Sequence, residues 1–289
     1  MESATIHANG LDISFLAEGP SDGPLALCLH GFPDTAHTWR YLLPQLASAG
    51  YRAVAPFLRG YAPTSVPSDL QVDLGTLALD ACALHEALGG NGDAVLVGHD
   101  WGAMIAYGAS AHEPDRWRKV VTAAVPPQRS MGERFFTFDQ LRRSWYMFFF
   151  QTPLAEFAVG MDNYAFIDGL WRTWSPGYDF AWDTAEVKKS LGTPENLAAA
   201  IGYYRSMLTG PSDDPVAAAA QAAGDTTAPQ PTLYLHGADD GCLGVDIIGP
   251  VADFLAPGSA VEIIEDAGHF LQVEQPERVG RLILDFLSN

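Results

Sequence analysis

One stretch constrains this chain more than any other: Val95-Leu96-Val97-Gly98-His99-Asp100-Trp101-Gly102-Ala103-Met104-Ile105-Ala106. Three apolar residues read as the end of a buried strand. Gly98 and Gly102 then flank Asp100, and an apolar helical pattern follows, giving strand, sharp turn and helix. So tight a bend needs its glycines, because strand and helix approach too closely for side chains beside the residue at the tip. Bends of this kind usually carry serine there; this one carries Asp100. A serine would attack acyl carbonyls. A carboxylate attacks a carbon bearing a leaving group and makes an alkyl ester with the protein.

The 289 residues, 48% of them hydrophobic, suffice for one large domain with an insertion. A formal net charge of −19 disfavours nucleic acid and anionic membranes as partners. Cys28, Cys82 and Cys242 are odd in number and scattered, which reads as buried structural thiols, not a disulfide framework. The amino terminus lacks the basic-then-apolar run of a signal peptide. No window approaches the ~18 uninterrupted apolar residues of a membrane span. A soluble cytoplasmic protein, monomer or homodimer, is the expectation. The histidines show no metal-ligand spacing, and Gly89-Gly90-Asn91-Gly92 follows a helical pattern, so it reads as a turn and not a phosphate loop. Neither metal nor cofactor is expected.

Residues 3–18 alternate around Asn9-Gly10, a hairpin signal. Continuous apolar runs at 25–30, 51–56, 94–97, 120–125, 232–237 and 261–264 read as buried strands. Between them, residues 38–49 suggest a helix that Pro44 interrupts. Leu70, Leu74, Leu77, Ala81, Leu84 and Leu88 recur at steps of three and four, the period of one helix face, ended by Gly89-Gly90. Residues 276–287 read as a closing helix. This alternation predicts an α/β fold with a mostly parallel sheet covered by helices on both faces. It breaks after Pro127, where helical patterning dense in aromatics replaces it. The expected division is a core of residues 1–127 and 214–289 with a helical cap, 128–213, inserted. The Ala-rich run 215–223 and Pro229–Pro231 would serve as the return linker.

An aspartyl ester needs water to cleave it, and water needs a base. His269, in Ala267-Gly268-His269-Phe270, follows the last strand in a loop, where catalytic groups commonly lie. A base needs an orienting carboxylate. His236-Gly237-Ala238-Asp239-Asp240 leaves the preceding strand with two. His30 and His99 read as satisfied structural histidines.

These motifs bear a family likeness. With His30-Gly31-Phe32-Pro33, Arg59-Gly60-Tyr61, Gly98-His99-Asp100-Trp101-Gly102 and Gly268-His269, the chain resembles the α/β-hydrolase-fold epoxide hydrolases of the soluble type over nearly its whole length. The resemblance implies the order nucleophile, acid, histidine, hence Asp100, Asp240 and His269. It places the acid three residues after Gly237, favouring Asp240 and leaving Asp239 as the alternative. It implies an oxyanion hole from the backbone N–H groups of Phe32 and Trp101. A cis bond before Pro33 would aim the Phe32 N–H, which a sequence does not reveal. Haloalkane dehalogenases share these motifs, so they define aspartate chemistry and not the leaving group.

The insertion speaks to the leaving group. In the epoxide hydrolases two cap tyrosines hydrogen-bond the epoxide oxygen, one in a segment like Tyr-x-x-x-Phe-Gln-x-Pro and one in a late Tyr-Arg pair. Tyr146, followed by Phe150, Gln151 and Pro153, matches the first. Tyr204-Arg205 matches the second, with Tyr203 the competing residue. The logic also holds without the family. Ring opening makes an alkoxide, and a phenol of pKa about 10 can donate to it while staying protonated at neutral pH. Trp101 and Phe150 are expected to contact substrate. The implied function is conversion of a small apolar epoxide and water to a vicinal diol through an Asp100 ester. Haloalkane dehalogenation, or non-catalytic ligand reception on the same fold, is the alternative.

Overall fold

The computed structural model describes every residue but Asp69, and of Glu133 the backbone alone. The hairpin β1 (Glu2–Ala8) and β2 (Leu11–Glu18) closes at Asn9-Gly10, both at positive φ, as a two-residue turn between twisted strands requires. Six further strands follow: β3 (Leu25–Leu29), β4 (Arg52–Pro56), β5 (Ala94–His99), β6 (Trp117–Ala123), β7 (Thr232–Gly237) and β8 (Ala260–Ile264). Among the described residues they form one sheet in the order β1-β2-β4-β3-β5-β6-β7-β8. β1 and β2 pair antiparallel with each other, β2 pairs antiparallel with β4, and the remaining pairs are parallel. β3, β5 and β7 are buried at every residue. Helices covering both faces explain why those strands read as unbroken apolar runs. Each such Leu or Val contributes about 1.5–3 kcal/mol on burial.

Helices α1 (Leu42–Ser48), α2 (Leu74–Ala87) and α3 (Trp101–His112) precede the long excursion between β6 and β7. Residues 38–49 do not form one helix. A 3-10 turn, Ala36–Trp39, precedes α1, whose third residue is Pro44, where the missing N–H would have no helical partner anyway. α2 starts later than its leucine ladder suggests. The Asp73 side chain accepts from Thr76 N–H at 3.0 Å and caps the helix, leaving Leu70 outside at φ 51° and exposed. β6 stops at Ala123 because Ala124 turns to φ 67°.

The excursion holds α4 (Gln128–Met131), α5 (Phe138–Arg143), α6 (Trp145–Phe149), α7 (Ala155–Gly160), α8 (Ala165–Trp174), α9 (Ala181–Ser190) and α10 (Pro194–Thr209), with no strand among the described residues. The Ala-rich stretch after it is a helix, not a linker. α11 (Pro215–Gly224), capped by Asp214, packs on α2 and α3. The approach is close: a Cβ at Gly75 would strike the Ala217 carbonyl. α12 (Leu271–Glu274) and α13 (Pro276–Ser288) end the chain. Among the described residues no helix is long and apolar enough to cross a membrane.

Candidate active site

The parallel strands carry their following loops to one edge of the sheet, where sites on such sheets form. β3 lies beside β5, so the turn after β3 meets the turn after β5. At that second turn Asp100 takes φ 54°, ψ −118°, a conformation that non-glycine residues rarely adopt. Its N–H donates to Ala123 O at 3.1 Å, and α3 starts at the next residue. The flanking glycines are required by contact: a Cβ at Gly98 would hit the Gly102 carbonyl, and one at Gly102 the Leu29 carbonyl. The Asp100 side chain is buried and points back toward the β3 loop. Phe32 N–H donates to its Oδ1 at 2.7 Å, and the Phe32–Pro33 bond is cis.

His269 is fully buried in the loop after β8. Its Nδ1 lies 2.9 Å from Asp240 Oδ2 and its Nε2 3.5 Å from Asp100 Oδ2. A carboxylate only accepts, so Nδ1 carries the proton toward Asp240. Asp240 Oδ1 accepts from the N–H groups of Cys242, at 2.7 Å, and Leu243, at 2.9 Å. Asp239 is exposed, so of the two candidate acids Asp240 is the one at the imidazole. Burial alone would lower the His269 pKa, but Asp240 and then Asp100 overcome it and push the imidazole up to about 10. Burial likewise works against the Asp240 carboxylate, and the adjoining imidazole holds it below its ordinary range.

The other histidines near the site are committed elsewhere. His99 Nε2–H donates to the His269 carbonyl at 2.8 Å, and burial takes its pKa down to about 3. His30 accepts from Leu58 N–H at 3.0 Å and faces Gly31 O at 2.9 Å, with its pKa lowered by burial to about 4. Both are neutral structural groups.

Tyr146 on α6 and Tyr204 on α10 face each other edge to face, ring centroids 5.5 Å apart. Both line a cavity of about 330 Å³ that also contains Asp100 and Trp101. The Tyr146 hydroxyl lies 3.4 Å from Cys242 Sγ. The Tyr204 hydroxyl has no partner of ordinary geometry among the described residues, although the Trp101 side chain opposes its pKa rise a little. Burial foremost pushes both phenols well above their ordinary range, so they stay protonated. Tyr203 turns the other way and donates to Arg59 O at 2.7 Å.

The Tyr–Gln spacing has a structural reason. Gln151 Nε2 donates to Met147 O, one turn back, and to Tyr204 O at 2.9 Å, so it ties the two tyrosine-bearing helices together. Arg205 repeats the tie to the Phe150 and Thr152 carbonyls while paired with Glu156.

Phe150 is not a pocket wall. It is fully buried behind the cavity, against Phe32, Tyr146 and Tyr204. The wall instead carries Met104, Met131, Met147 and Met207 with Phe135 and Phe148, while Phe136, 71% exposed, and Leu208, 65% exposed, stand at its margin. The methionines escaped the sequence reading because nothing in their local pattern marks a cavity. Cys242 escaped it too. Its thiol lines the cavity and, with Asp240 and His269, forms the one group of possible metal ligands among the described residues, atoms all within 4.8 Å of one another. All three cysteines are free and buried.

A family model described as alpha/beta hydrolase fold matches residues 24–276. The human protein epoxide hydrolase 4 is 30% identical over 98% of this chain and 77% of its own. Epoxide hydrolase A of Mycobacterium tuberculosis is 28% identical over 98% of this chain and 96% of its own. Among solved structures, the Bacillus megaterium epoxide hydrolase in complex with an inhibitor matches with a TM-score of 0.83 at 26% identity, covering 99% of this chain and all of that one.

Proposed function

From the premise that this chain belongs to the α/β-hydrolase fold family and, within it, to the epoxide hydrolases, we propose that it converts an apolar epoxide and water to a vicinal diol through a covalent ester on Asp100. The observation that carries this reading is one cavity in which the Asp100 carboxylate meets two protonated phenols, Tyr146 and Tyr204.

Asp100 Oδ1, already holding the Phe32 N–H, becomes the ester carbonyl oxygen, and Oδ2 attacks the ring carbon. The C–O bond of the ring breaks toward the phenols, one of which protonates the alkoxide. Esterification removes the charge of Asp100. Only Asp240 then favours the imidazolium, and burial opposes it, so the imidazole pKa falls and its proton restores the phenol. Neutral His269 now takes a proton from water, whose oxygen attacks the ester carbonyl. Negative charge grows on the oxygen held by the Phe32 N–H, with the Trp101 N–H as the second donor of this reading. Collapse releases the diol, and the second water proton goes to it. Imidazolium and the Asp100 carboxylate return, so each cycle consumes one water and no net proton.

The Met- and Phe-lined wall suits an apolar substrate. A single turnover in oxygen-labelled water tests the route. Label is expected in the Asp100 carboxylate and absent from the diol. Label entering the diol in that first turnover contradicts the covalent ester.

A further inference from the structure

The Cys242 thiol takes part in none of these steps, yet it stands beside two groups that do. We propose that Asp240, Cys242 and His269 form a binding site for a thiophilic divalent cation, zinc or cadmium, which shuts the enzyme off by occupying its base. A carboxylate, an imidazole and a thiol are a donor set such cations favour. One ligand atom from each lies within 4.8 Å of the others, and all three residues are buried. Asp240 Oδ2 and His269 Nδ1 are 2.9 Å apart, so the cation takes the place of the proton between them. Bond lengths of about 2.0–2.3 Å set tetrahedral donor atoms about 3.3–3.6 Å apart, so the thiol need move in by only about one ångström. Asp240 Oδ1 keeps its two backbone N–H donors, which orient the carboxylate from behind. Entry is through the cavity, since Cys242 lines it.

Charge balance permits the exchange. With Asp100 and Asp240 ionised and His269 an imidazolium, the buried group carries one net negative charge. Binding releases the imidazolium proton and the thiol proton and brings in one dication, so the net charge is unchanged. Asp100, Tyr146, Tyr204, His99, His236 and Glu274 are the other titratable groups around it. Burial keeps His99 and His236 neutral and both phenols protonated, so the imidazolium and the thiol supply the protons released.

Cadmium titrated into the full chain tests the site without any turnover. The expected result is a thiolate-to-cadmium charge-transfer band that saturates at one equivalent. Cys242→Ser and Cys242→Ala should lose the band and bind about 100-fold or more weakly. Zinc should inhibit the unaltered chain reversibly to a chelator, and each variant, judged against its own metal-free rate, should resist it by a similar factor. Wild-type cadmium affinity in both variants, or a band that survives in them, would overturn the proposal. The band reads the site even if the reaction proposed above fails.

Discussion

On the sheet side of the cavity, the charged groups are pinned. Asp240 has two backbone donors on one oxygen and the imidazole on the other, Asp100 has the Phe32 N–H, and His269 is held by Trp174 O at its N–H and by His99 at its carbonyl. On the helical side, the tyrosine hydroxyls are barely held: Tyr146 meets a thiol at 3.4 Å and Tyr204 has no ordinary partner among the described residues. What is fixed there is the backbone behind the rings, through Gln151 and Arg205. The difference follows from what each side must do. A buried charge costs several kcal/mol unless it is satisfied throughout. A phenol that waits for a substrate oxygen gains from having no strong bond to break first.

The comparison can be broken from either side. Asp100→Asn should have the largest effect, lowering diol formation on the order of 10⁴-fold or more while the thermal midpoint changes little. Initial rates together with calorimetry check this, and a rate that survives would remove the sheet side from the chemistry. Tyr146→Phe with Tyr204→Phe should lower the rate of ester formation by about 10²–10⁴-fold. Each single change should cost less, because the other phenol still donates; rapid-mixing measurement of ester formation reads both. Gln151→Ala should act through position alone. It removes two hydrogen bonds worth about 0.5–1.5 kcal/mol each. A several-fold loss in kcat with little change in KM, alongside a lower thermal midpoint, is the expected pattern.

The smallest effect is on stability against pH. An imidazole in an unfolded chain titrates near about 6.5, whereas His269 is pushed up to about 10 in the folded one. The folded state therefore holds this proton more tightly. The stability it contributes is complete below about 6.5 and is lost as pH rises through about 10. Calorimetry across that window should show the midpoint of the unaltered chain falling more steeply than that of His269→Gln. Parallel curves would mean the imidazolium is not favoured by its two carboxylates.

Local signals made the sheet side legible. The glycines around Asp100 and the apolar runs that precede Asp100, Asp240 and His269 depend on neighbours in sequence, and the hairpin at Asn9-Gly10 is equally local. Most of what escaped depends on distant partners, with one local exception. Leu70 continues a helix ladder, but the Asp73 cap overrides it. The Ala-rich run becomes α11 because glycines on α2 and α3, Gly75 and Gly108, let it dock closely. Phe150, just beyond Phe148 on the cavity wall, is carried around the end of α6 to pack behind both tyrosines. Cys242 acquires its place only when the loop after β7 meets Tyr146, 96 residues away.

The ester on Asp100 is the claim on which the rest depends, and the intact mass of His269→Gln mixed with a simple apolar epoxide tests it most directly. Without its base the enzyme should form the ester and stall. One epoxide mass should be added per chain, on the peptide containing residue 100, and Asp100→Asn placed on top of it should abolish the adduct. A chain that stays at its unmodified mass while epoxide is still turned over, or an adduct on any other residue, would contradict the account.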